Sequence, residues 1–106
     1  MARTPTRLAG PAQLAGAAAT IYTNPGSVTT VVRHIHFSNP SGSPVDVTLS
    51  IGSDAAGVRL FDGFAIAADS VYEHFCYHVV EDSEIVQAFA GTASTVVITM
   101  SGDEYS

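Results

Sequence analysis

The chain of 106 residues contains no tryptophan, no lysine and a single cysteine, Cys76. One thiol cannot close an internal disulfide, so burial and hydrogen bonding must hold the fold, and cysteine usage leaves the redox compartment open. All four basic side chains are arginines set against ten acids, a net charge of −6. That balance repels phosphate backbones and argues against nucleic acid as a partner. No stretch approaches the roughly 18 consecutive apolar residues of a membrane-spanning helix, and the opening residues lack the continuous apolar segment of a secretory signal. Neither a membrane nor an export route is expected. The sequence also lacks a Gly-x-Ser-x-Gly elbow, a lysine-bearing phosphate loop, a Gly-x-Gly-x-x-Gly turn and a His-Glu-x-x-His pair. Catalytic machinery has no visible seat, and no enzyme is expected.

What is present is apolar bulk: 46% of residues are hydrophobic and 13% charged, a composition that folds. The length suits one core. Val45, Val47, Leu49 and Ile51 alternate with Asp46, Thr48 and Ser50, the period of two of a strand with one buried face. Val96, Ile98 and Met100 repeat the pattern with β-branched neighbours that disfavour a helix. Residues 28 to 38 and 70 to 80 are longer runs of the same type, and 18 to 23, 58 to 61 and 85 to 90 are shorter ones. Turn-formers separate them, among them Asn24-Pro25-Gly26, the segment Asn39 to Pro44, Gly52 to Gly57, Asp62-Gly63, Glu81-Asp82-Ser83 and Gly91-Thr92. Seven or eight short strands without an amphipathic helix predict an all-β chain, an antiparallel β-sandwich or jelly roll.

Residues 1 to 16 are broken by Pro5, Gly10, Pro11 and Gly16 and read as an extended N-terminal arm ahead of a sandwich domain over 17 to 106. Arg3 and Arg7 make this tip basic, while the remainder carries ten acids and two arginines, −8. Arg3, Arg7, Leu8, Pro11 and Leu14 are the candidate partner-binding residues of the arm, the arginines meeting carboxylates. The alternative is a frayed terminus.

Four histidines fall as His34-x-His36 and His74-x-Cys76-x-His78, each set on one side of a predicted strand. Imidazole and thiolate are zinc ligands, but the jelly-roll metal motif of the cupins needs a glutamate where this chain has Asn39, Pro40 and Ser41. No metal or other cofactor is expected. The favoured reading places the imidazoles on polar or interfacial faces, opposite core rows formed by Val31, Ile35 and Phe37 and by Phe75, Tyr77 and Val79. His34, His36, Tyr72, His74, Cys76 and His78 are the candidate oligomer contact, one that weakens on acidification. The acidic groups Glu81-Asp82-Glu84 and Asp103-Glu104 read as solvated, without calcium-ligand spacing. Phe61, Phe64 and Phe89 are expected in the core or at a subunit contact. Tyr22, Tyr72, Tyr77 and Tyr105 are the only material for a sugar-stacking platform.

From Thr20 onward the chain resembles the small β-sandwich virion proteins of tailed bacteriophages. The resemblance runs through Thr20-Ile21-Tyr22-Thr23-Asn24-Pro25, Val31 to Asn39, Val45 to Ile51, Leu60-Phe61-Asp62-Gly63, Ile66 to Ser70 and Val96 to Gly102. It implies a non-enzymatic structural role in the virion, as a head decoration or cement protein or a tail, baseplate or fibre-associated component. Partners implied are further copies of the chain, often in trimers, and the major capsid protein or tail proteins, with assembly in the host cytoplasm. Such proteins carry plainer aliphatic residues where this chain has His74 to His78. A module recognising a host-surface carbohydrate or receptor is the remaining class.

Overall fold

A computed structural model describes residues 2–106. Eight strands account for most of the described chain: β1 (Arg3–Gln13), β2 (Ala19–Thr23), β3 (Thr29–Asn39), β4 (Val45–Ile51), β5 (Arg59–Ile66), β6 (Ser70–Val80), β7 (Ile85–Ala90) and β8 (Val97–Tyr105). Among the described residues the single helical element is one 3₁₀ turn, Ala56–Val58. The antiparallel pairings β1:β8, β2:β7, β3:β6 and β4:β5 are those of one long hairpin. Rolling that hairpin up brings β3 against β8 and β4 against β7. Two four-stranded sheets result, in the orders β1-β8-β3-β6 and β2-β7-β4-β5. This is a jelly roll, the arrangement expected where short strands with two buried inner faces are joined by turns.

The core lies between the sheets. Ile35 and Phe37 of β3, Val47 and Leu49 of β4, Val86 of β7, and Ile98 and Met100 of β8 are fully buried. Each side chain of this kind stabilises the fold by about 1.5–3 kcal/mol relative to exposure. Phe37 meets the ring of Phe61 on β5 edge-on at 5.5 Å, joining the sheets.

The N-terminal segment differs from the expected arm. Arg3 to Gln13 is an edge strand paired with β8 from Arg3↔Tyr105 to Gln13↔Val97. Leu8 and Leu14 are buried in the sandwich's own core, whereas Arg7 and Pro11 are exposed. An edge strand tolerates proline, because only one of its sides donates to a ladder. Gly10 sits at φ +74, where a Cβ would meet the Ile98 carbonyl oxygen at 2.0 Å, so the close approach of β1 to β8 requires glycine here.

Candidate functional site

β6 forms the far edge of the first sheet and pairs only with β3. Its residues alternate cleanly between a half-buried row, Tyr72, His74, Cys76 and His78 ending in buried Val80, and an outward row, Val71, Glu73, Phe75, Tyr77 and Val79. The outward row is the more hydrophobic. Phe75 is 74% exposed, Tyr77 64%, Val71 59% and Val79 42%. This reverses the expected core row of Phe75, Tyr77 and Val79. The reason is cross-strand pairing: directly opposed residues share a face, and Ile35 and Phe37, which point into the core, pair with His74 and Tyr72. The inner row of β3 therefore dictates that of β6.

The same pairing separates the four histidines. His34 stacks on outward-facing Phe75 at 4.5 Å, and His36 lies 6.2 Å from His34. The Nε2 of His34 is buried without a hydrogen bond and stands 3.4 Å from a Glu73 carboxylate oxygen, near enough for attraction when the ring is protonated. His74 and His78 lie on the other side of the first sheet. The expected six-residue contact is thus two groups on opposite faces: His34 and His36 outside, and Tyr72, His74, Cys76 and His78 inside.

Outside, the aromatic strip continues toward the chain terminus. Tyr77, Val79, Tyr105 and Thr29 border a shallow groove floored by Val31, which is 2% exposed. Val31 thus faces outward, in contrast to the expected core row with Ile35 and Phe37. The cause is a register shift of β3 against both neighbours between Val32 and His34, which leaves Val32 and Ile35 both in the core. The guanidinium of Arg33 sits 5.2 Å over the Tyr77 ring and donates to the Tyr105 hydroxyl at 3.0 Å and to the Asp103 carboxylate. Arg3 reaches the same carboxylate at 3.1 Å. Asp103, expected as solvated, is buried under these two arginines. The Arg33 bond first, and then Arg3, hold its carboxyl below the usual range. The arm's basic residue Arg3 thus finds its carboxylate within the chain.

Inside, at the seam where the edges β5 and β6 face each other, Phe61 contacts His74 edge-on at 5.1 Å and Tyr72 at 6.1 Å, and Phe64 lies 4.7 Å from Tyr72. Phe61 is buried and Phe64 is exposed. Beyond this cluster the Nε2 atoms of His74 and His78 are 3.4 Å apart, and the Cys76 thiol donates to the Val32 carbonyl at 3.3 Å. One ligand atom from each of the three lies within 4.8 Å of the others. Burial, reinforced by His78, lowers the His74 pKa from that of a free imidazole, and burial raises that of the Cys76 thiol.

No protein-family model and no curated protein sequence matches the chain. Solved structures do. A chain from the structure of infectious bursal disease virus, Gx strain, aligns with 96% of this chain at 8% identity and a TM-score of 0.53. Another, from the Gt strain structure, aligns with 97% at 11% identity and a TM-score of 0.38. This chain spans 32% of the length of each. What the chain shares with the Gx strain protein is the fold, an antiparallel β-sandwich of two sheets.

Proposed function

We propose that this chain is a non-enzymatic structural subunit of a virion, self-associating and attaching to a larger shell as a head decoration or cement protein of a tailed bacteriophage. The outward face of β6 carries the reading. Four apolar side chains exposed on an edge strand, beside a groove rimmed by two tyrosines, form the kind of contiguous patch that marks a protein contact. The jelly roll likened to a viral protein and the sequence resemblance to phage virion proteins favour a virion as the place of that contact. Copies of the chain, in a trimer, and the major capsid protein are the partners. A subunit bridging several shell proteins adds contacts present only in the assembled shell and so favours it by mass action.

The carbohydrate-binding alternative needs exposed aromatics on loops. Phe75 and Tyr77 are on a strand, and Tyr22 is buried. The test is solution mass by light scattering and co-sedimentation with shells, for the full chain and for the double variant Phe75→Ser, Tyr77→Ser. Concentration-dependent trimers and shell binding, both lost in the folded variant, are expected. A wild-type chain that stays monomeric at high concentration and does not sediment with shells would overturn the reading. Deleting residues 1 to 16 is the wrong probe, since it removes β1 and exposes the backbone edge of β8.

A further inference from the structure

His74, Cys76 and His78 leave β6 on one side, as alternate residues of a strand do. On a regular strand the backbone origins of the first and third stand about 13 Å apart, and their rings run parallel without meeting. Here they meet. The two Nε2 atoms are 3.4 Å apart, and the rings lie 5.6 Å from each other at 17° from parallel. The pairing with β3 slips alongside: Val32 pairs with His78 and His34 with Phe75, so Cys76 and Tyr77 together oppose Arg33. Cys76 stands between the two imidazoles in sequence and on the same side of the strand.

We propose that His74, Cys76 and His78 form a three-ligand site for a thiophilic divalent cation of the zinc class. The nitrogen pair has the right spacing. Two nitrogens bound tetrahedrally to zinc, each about 2.0–2.1 Å from it, stand about 3.3 Å apart. The observed 3.4 Å fits that edge and is long for a hydrogen bond. A thiolate at about 2.3 Å from the ion stands about 3.6 Å from each nitrogen, and no separation in the triplet exceeds 4.8 Å. Turning the Cys76 side chain from the Val32 carbonyl toward the imidazoles shortens the sulfur-to-nitrogen gap. Two imidazole nitrogens and one thiolate suit zinc and its neighbours and disfavour calcium or magnesium, which take oxygen ligands. The three side chains are half-buried, so the ion can enter from solvent, which supplies the fourth ligand. The site lies across the first sheet from the aromatic strip and does not depend on the role proposed for that strip.

The test uses the full chain, freed of metal by a chelator and titrated with Zn²⁺ or Co²⁺ alone. One Co²⁺ per chain is expected, with intense tetrahedral bands in the visible and a thiolate-to-metal band in the near ultraviolet. Cys76→Ser removes the thiolate band. His74→Gln or His78→Gln weakens binding by at least about 10-fold, the least that loss of even a supporting group costs, while His34→Gln and His36→Gln bind as the parent does. In the unaltered protein, Zn²⁺ protects Cys76 from alkylation, a readout that no folding defect of a variant can disturb. A pale octahedral cobalt spectrum without a thiolate band, or an alkylation rate that zinc leaves unchanged, overturns the proposal.

Discussion

The hydroxyl of Tyr22, on β2, donates to the carboxylate of Glu104, on β8, at 2.7 Å, so the two sheets are tied by residues 82 positions apart. The phenol has one proton. With it given to Glu104, the Thr30 hydroxyl, also at 2.7 Å, donates to the Tyr22 oxygen, and Asn24 Nδ2 donates in turn to Thr30 at 3.3 Å. Burial, with the Glu104 charge adding to it, pushes the Tyr22 pKa up to about 12, so this direction holds across the physiological range. Tyr22→Phe keeps the ring and removes the tie. Because a hydrogen bond to a charged acceptor contributes about 1.5–3 kcal/mol, and Glu104 is only part-buried, a loss of about 1.5 kcal/mol is expected. It appears as a lower denaturant midpoint with an unchanged slope; an unmoved midpoint contradicts it.

The Asp103 clamp sets a pH dependence. Arg33 and then Arg3 hold its folded pKa below the ordinary carboxylate value, so on acidification the unfolded chain takes up this proton first. The clamp's contribution is therefore complete above the ordinary range near pH 4 and is lost as pH falls through that value toward the folded one. Asp54, lowered by Arg59 and by the Ser50 hydroxyl, adds loss in the same window. Asp103→Asn is expected to lower stability at neutral pH and to flatten the acid limb below about pH 4. Unfolding curves collected from neutral to acid pH check this, and equal acid slopes in variant and parent would count against it.

Most of the fold was legible because it rests on local alternation. Val45 to Ile51 reads as a strand and is one, and the runs at 28 to 38, 70 to 80 and 85 to 90 match β3, β6 and β7 within about a residue. β1 was not legible. Pro5, Gly10 and Pro11 give it no period of two, and its ladder depends wholly on β8 at the other end of the chain. The faces of β6 were illegible for a different reason: both rows are rich in large rings, so alternation finds two faces without choosing the inner one. Only the pairing with Ile35 and Phe37 chooses it, and pairing is non-local. Asp103 looked like a solvated terminal acid because one of its arginines is 70 positions away. The closeness of the His74 and His78 rings was hidden as well, since alternation gives the shared face and not the direction in which each ring leans along it.

Phe37 and Phe75 test the assignment of faces directly. Phe37 is fully buried between the sheets, and Phe75 is 74% exposed. Phe37→Ala leaves a cavity and is expected to cost about 3–5 kcal/mol. Phe75→Ala changes folding stability by no more than about 0.5 kcal/mol, as surface replacements do, yet weakens self-association. Denaturant midpoints and light scattering on both variants separate the two effects. A Phe75→Ala protein as unstable as Phe37→Ala would mean that the strand is turned the other way.

Asn24 and Asn39 each open an Asn-Pro turn and are buried. Each Oδ1 accepts the backbone N–H two residues on, from Gly26 at 2.9 Å and from Ser41 at 3.1 Å. Each Nδ2 donates to carbonyls of its own loop and of a strand end: Val28 and Val80 for Asn24, Ser43 and Ile66 for Asn39. Asn39→Asp conserves the shape and the acceptor but sets a carboxylate oxygen against three carbonyl oxygens, those of Ser43, Ile66 and Ala67. At neutral pH the loss is expected to reach about 3 kcal/mol, from a buried carboxylate one of whose oxygens faces carbonyls and has no donor. The folded pKa of that carboxyl must rise, because protonation restores a donor. Its penalty is therefore largest above the raised pKa and shrinks, relative to the parent, as pH falls through it. Asn39→Ala lacks the titrating group and shows no such recovery. Stability measured at pH about 7 and about 5 for both variants distinguishes a lost donor from a merely disturbed loop.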